Sequence, residues 1–117
     1  MKFYTETGRR EYGETPVKDS RTGESATITD RREIMDASDF LTVYRCIIVT
    51  ETASEIGFQF LVMANGCTLS TFVCDFATGE KIIAEQLRGF LSGSINNAEL
   101  IATLERLQSE YMDGSEV

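Results

Sequence analysis

Hydrophobic and polar positions are spread unevenly along this chain. The densest apolar stretch runs from Phe40 to Phe76, FLTVYRCIIVTETASEIGFQFLVMANGCTLSTFVCDF. Its first part, Phe40 to Thr50, carries Leu41, Val43, Ile47 and Val49 at odd positions and Phe40, Tyr44, Cys46 and Ile48 at even ones. A strand apolar on both sides is expected to be central and covered on both faces. Two further strands follow, Phe58 to Ala64 and Cys67 to Phe76, joined by Asn65-Gly66. Asn and Gly tolerate the positive φ of a type I′ hairpin turn. A two-residue loop sets the register. It places Ala64 opposite Cys67, Val62 opposite Leu69, Phe60 opposite Thr71 and Phe58 opposite Val73, an apolar face expected in the core. The other face mixes Gln59, Leu61 and Met63 with Thr68, Ser70, Phe72 and Cys74. Cys67 and Cys74 are an odd number of positions apart, so alternation points them to opposite faces and argues against a mutual disulfide.

Beyond Phe76 the period changes. Ala77-Thr78-Gly79 reads as a breaker with Thr78 as the helix cap. Ile83, Leu87, Phe90 and Leu91 then fall at i, i+4, i+7 and i+8, one face of a helix over about residues 80–91. Ser92-Gly93-Ser94 stops it. Leu100, Ile101, Leu104, Leu107 and Tyr111 form the stripe of a second helix over about residues 97–112. The short link predicts an antiparallel pair lying on one face of the sheet.

The first 33 residues differ in kind. Seven are apolar (Met1, Phe3, Tyr4, Tyr12, Val17, Ala26 and Ile28) and fourteen are charged. Such a segment is expected to bury too little surface to order itself. A ribbon around Arg21-Thr22-Gly23 would be marginal alone. Asp30-x-x-Glu33 resembles a capping box opening a short helix. The expected fold is therefore α+β: a three-stranded antiparallel β-meander packed by two C-terminal α-helices, with a polar N-terminal arm. The arm would span 1–33, and 34–117 would form a single acidic domain that folds without it.

Charge sharpens this division. Seven basic and seven acidic residues cancel within 1–33, while 34–117 hold four basic and twelve acidic and carry the whole net charge of −8. A body this acidic is repelled by nucleic acid, which makes direct binding to it an unexpected activity. No apolar run approaches the roughly 20 residues of a membrane-spanning helix, and MKFYTETGRREYGE lacks the apolar core of a signal peptide. Three cysteines without periodic spacing make no disulfide framework and suit a reduced, cytoplasmic setting as buried thiols.

Histidine is absent. That removes Ser-His and Cys-His nucleophile pairs and histidine metal sites. No phosphate-binding glycine loop, C-x-x-C or EF-hand loop occurs. The expectation is no enzyme, no cofactor and no metal. Three features invite a binding role. Arg9-Arg10 and Arg31-Arg32 could clamp an anion bidentately, although solvated charge balance explains them too. Glu99, Glu105 and Asp113, with Glu110 and Glu116, could meet a basic partner, or simply be a solvated helix face. Leu61, Met63 and Phe72 on the mixed sheet face suit an interface, unless another part of the chain covers them.

The first expectation is a small acidic non-enzymatic protein-binding factor, an inhibitor, adaptor or chaperone-like subunit that occludes a partner's surface. The second is a structural subunit of a larger symmetric, virus-like assembly, held as an oligomer by the arm. The third is a protein that sequesters a small anionic ligand or nucleotide on the arginine pairs.

Overall fold

Half of the strands come from the segment with the fewest apolar residues. The computed structural model describes residues 1–37, 40–64 and 67–114. Its strands are β1 (Phe3–Glu6), β2 (Thr15–Asp19), β3 (Ser25–Ala37), β4 (Leu41–Val49), β5 (Ser54–Ala64) and β6 (Cys67–Asp75). Each is antiparallel to the next, and β1 also pairs with β6, so the sheet closes into a six-stranded barrel. After β6 the chain runs into α1 (Phe76–Ile82), a π-helical turn (Ile83–Leu87), α2 (Arg88–Ser92) and, past a reversal, α3 (Asn97–Met112).

This corrects the expected fold. There is no three-stranded meander with a polar N-terminal arm: β1, β2 and the start of β3 complete a closed barrel. The few apolar residues of this segment are used efficiently. Phe3, Tyr4, Val17, Ala26 and Ile28 are all buried, and β2 alternates buried and exposed along its length. A six-stranded lumen needs only one or two side chains from each strand. The ribbon is also not isolated, because β3 pairs along most of β4. Asp30 opens no helix. It lies inside β3 at φ 50°, in a bulge between Thr29 and Arg32.

The two faces of the sheet carry separate cores. Tyr4, Val17, Ala26, Ile28, Cys46, Ile48 and Val73 form one cluster. Strand pairing puts Gly57 beside Cys46 and Gln59 beside Val73, so all six strands contribute to this face and it is the lumen. At Gly57 an added Cβ would strike the Ile48 side chain and lie 2.7 Å from the Cys74 carbonyl oxygen, so only glycine fits. The second core is outside the barrel, where Phe3, Leu41, Val43, Phe58, Phe60, Val62, Phe72 and Cys74 meet Ile82, Leu87, Leu100, Leu104 and Tyr111 of the helices. The apolar character of β4 on both sides follows: Leu41 and Val43 face the helices, while Cys46 and Ile48 fill the lumen.

Two further local irregularities move side chains away from their expected places. The Asn65-Gly66 turn lies outside the described residues. Ala64 does pair with Cys67, but a register shift follows, because Met63 pairs with Thr68 and Val62 with Ser70. The extra residue is Leu69. Beyond it Phe60 faces Phe72 and Phe58 faces Cys74, one position off the expected register. The bulge also undoes the parity argument for Cys67 and Cys74. All three cysteines are nevertheless free, and Cys67 is exposed rather than buried. The second irregularity is the π turn. It spaces the buried Ile82 and Leu87 five residues apart and leaves Leu91 outside the expected stripe. The α3 stripe, by contrast, packs as its period implies, with Leu100, Leu104 and Tyr111 fully buried. Asn96 and Glu99 close a capping box at its start.

The last turn of α3 ties the helices to the barrel. The Tyr111 hydroxyl donates to Asp19 Oδ1 at 2.6 Å, and its ring lies 6.4 Å from that of Phe3 and 4.6 Å from the Arg21 guanidinium carbon. Burial alone would raise the Asp19 pKa. The Tyr111 hydroxyl, the Thr22 and Arg21 backbone N–H groups and the Lys2 charge outweigh it and hold the carboxyl below its ordinary 3.8.

Two outcomes are expected. A chain beginning at residue 34 loses two strands and part of a third, and should show no cooperative thermal transition by circular dichroism. Tyr111→Phe should lower stability at neutral pH by about 1.5–3 kcal/mol, the range for a hydrogen bond to a charged group. Because the folded Asp19 pKa is depressed, this contribution is full above about pH 4 and is lost as pH falls through the folded value. Urea titrations of both chains at neutral and acid pH should therefore converge on acidification.

Candidate functional site

Leu61, Met63 and Phe72 do not form one surface. The Leu69 bulge sets Phe72 opposite Phe60, so it enters the helix-covered core at 3% exposure. Leu61 and Met63 are half-buried, and Leu69 itself is 55% exposed. Glu99, Glu105 and Asp113 are exposed on or beside α3, but they are strung along it. Fourteen residues of helix span about 21 Å, too sparse for a concentrated acidic patch. Glu99 is already engaged in the capping box. The Arg106–Glu110 pair at 2.9 Å is exposed and contributes little.

The arginines separate as well. Arg9 and Arg10 are exposed in the connection between β1 and β2. Arg31 and Arg32 are parted by the β3 bulge. Arg31 turns toward the lumen, its guanidinium carbon 4.2 Å from the Tyr44 ring centre. Arg32 faces outward, directly opposite Arg45 of β4. Arg45 was not legible as a partner, since cross-strand pairing brings together residues thirteen positions apart that no motif connects.

The lumen is polar toward one side. Tyr4 Oη donates to Glu55 Oε1 at 3.3 Å, and Gln59 Nε2 to Glu6 Oε1 at 3.0 Å. Gln59 Oε1 and Arg31 Nε are buried without a hydrogen-bond partner. Burial, with the Glu55 and Asp19 charges, pushes the Tyr4 hydroxyl pKa up. Burial likewise pushes the Cys46 thiol up to about 12 against the opposing Arg31 charge, and raises Cys74. Neither buried thiol supplies a thiolate nucleophile near neutral pH. Among the described residues no cluster of three or more Cys, Asp or Glu could hold a metal ion. No helix among them is long and apolar enough to cross a membrane.

A concavity of about 760 Å³ opens where α2 turns into α3 beside the ends of β3 and β4. Phe40, Phe90, Leu91 and Ile95 supply its apolar wall, with Asp36 and Asn96 on its margin. Phe40 is 44% and Leu91 59% exposed. Gly93 at φ 83° closes α2 and sends the chain back toward α3. The sequence period assigned Leu91 to a buried stripe. The π turn, which leaves no mark in that period, rotates it out into the groove. A second concavity, about 350 Å³, lies on the outer barrel wall between Asp30, Arg32, Arg45, Ile47 and Ile56.

No family model matches this chain, and no curated protein or solved structure shows significant similarity to it.

The thiol arrangement has a direct readout. A water-soluble disulfide reagent should modify one thiol per native chain, Cys67, and three after denaturation. Rapid modification of a second thiol in the native protein would contradict the burial of Cys46 and Cys74.

Proposed function

We propose that this chain is a non-enzymatic protein-binding factor of the cytoplasm, an inhibitor, adaptor or chaperone-like subunit that covers part of a partner's surface. The groove beside α2 carries this reading. Two large apolar side chains, Phe40 and Leu91, stand exposed at a single concavity whose walls continue into Phe90 and Ile95. Pockets that take an anchoring side chain from a partner have this build: an apolar floor, a polar margin and little charge inside. Among the described residues of its lining the one ionisable side chain is Asp36, and the chain as a whole carries −8. The matching partner presents an aliphatic or aromatic anchor flanked by lysine or arginine.

Native mass spectrometry of the full chain, taken gently from its own cells, tests this. The wild type should appear as one chain bound to a different protein. Leu91→Asp should appear bare, with affinity reduced at least about thirtyfold, the usual effect of losing an interface hot spot. Its thermal transition should stay put, since Leu91 is on the surface. A ladder of identical chains would replace this reading with a homo-oligomeric assembly. A bare wild-type monomer would overturn it.

A further inference from the structure

We propose that Arg32 and Arg45 form a binding site for a phosphate monoester carried on a small apolar body. The site shares no residue with the groove beside α2 and stands independently of it.

Register provides the first argument. Thr29 pairs with Ile47 and Arg32 with Arg45, so β3 advances three residues while β4 advances two. The extra residue is accommodated at Asp30–Arg31, with Asp30 at φ 50°. Bulges of this kind re-aim side chains, often beside functional sites. Here the bulge sends Arg31 inward over Tyr44 and brings Arg32 face to face with Arg45 on the outer wall. Directly opposed residues of an antiparallel pair have Cβ atoms roughly 5 Å apart, and like charges there repel. Among the described residues neither guanidinium makes an ion pair or a hydrogen bond. Two opposed, exposed cations on a chain of net charge −8 make an arrangement that an anion would relieve.

The surroundings narrow the ligand. The concavity holds about 350 Å³, enough for a small organic molecule rather than a macromolecular surface. Two guanidinium forks facing one point can donate up to four parallel hydrogen bonds, which suits the three terminal oxygens and double charge of a phosphate monoester. A carboxylate, with two oxygens and one charge, is satisfied by a single arginine. Ile47 and Ile56 are half-buried on the same lining and offer an apolar seat for the body of the ligand. Asp30 on the rim is placed to accept from a ligand hydroxyl rather than to hold the phosphate.

Amide-resolved NMR titration of the full chain with phenyl phosphate, inorganic phosphate and benzoate tests the assignment. Phenyl phosphate should give saturable shifts centred on Arg32, Arg45, Ile47 and Ile56. Inorganic phosphate should shift the same residues about tenfold more weakly, lacking the apolar contact. Arg45→Gln and Arg32→Gln should each weaken phenyl phosphate at least tenfold. Both should leave the free protein's melting temperature unchanged or higher, because they remove a repulsion. Arg9→Gln should change affinity less than twofold. Shifts that do not saturate, that persist in Arg45→Gln, or that centre on Arg9 and Arg10 would overturn the site. Benzoate binding as tightly as phenyl phosphate would overturn its preference for a dianion.

Discussion

The whole architecture depends on a short seam. β1 meets β6 at two paired positions, Phe3 with Cys74 and Tyr4 with Val73, where β4 and β5 pair along nine. Lys2 and Asp75 extend the seam slightly, through Lys2 N–H to Asp75 Oδ1 at 2.9 Å and Asp75 N–H to the Lys2 carbonyl at 3.1 Å. A ladder this short contributes only about 1 kcal/mol per hydrogen bond. Burial of Phe3 and Tyr4 adds a contribution of the same order, about 1.5–3 kcal/mol for each side chain. One points outward under α3 and the other into the lumen, so the seam is held from both faces at once. Tyr111 adds the cross-brace, with its ring against Phe3 and its hydroxyl on Asp19 of β2.

Closure determines where surface remains for binding. A closed barrel has no free edge for another strand to join, so recognition falls to side chains at its ends and on its uncovered wall. α1, the π turn and α3 cover the wall formed by β1, β4, β5 and β6. Farther along the same β3–β4 pair the outer face lies beyond this core and carries the exposed Arg32 and Arg45. The groove forms at the margin of the covered wall, where the helical segment ends short of α3. Both candidate surfaces therefore lie where the second core stops.

Parts of this were readable along the chain. The α3 period survives folding because a regular amphipathic helix needs only its own spacing to define a face. The strand content of Phe40 to Phe76 was legible for the same reason. Composition misjudged residues 1–33, because it counts apolar residues without knowing that five of the seven, Phe3, Tyr4, Val17, Ala26 and Ile28, will be buried once the barrel closes. Periodicity also failed wherever one residue was inserted into a repeat. The Leu69 bulge turned Phe72 from an expected surface into the core, the Asp30 bulge parted Arg31 from Arg32, and the π turn moved Leu91 outward.

By itself, then, the sequence determined the acidic balance, the absence of histidine chemistry, the strand-rich centre and the C-terminal helical stripe. These are properties of composition and of local period, which do not depend on distant partners. Only the tertiary structure decided that the barrel closes, that two cores exist, that Phe40 and Leu91 line one groove and that Arg32 pairs with Arg45. Each of these depends on register between segments far apart in the chain. A single bulge or π turn, almost without signature in one sequence, shifts that register and moves a side chain from one face to the other.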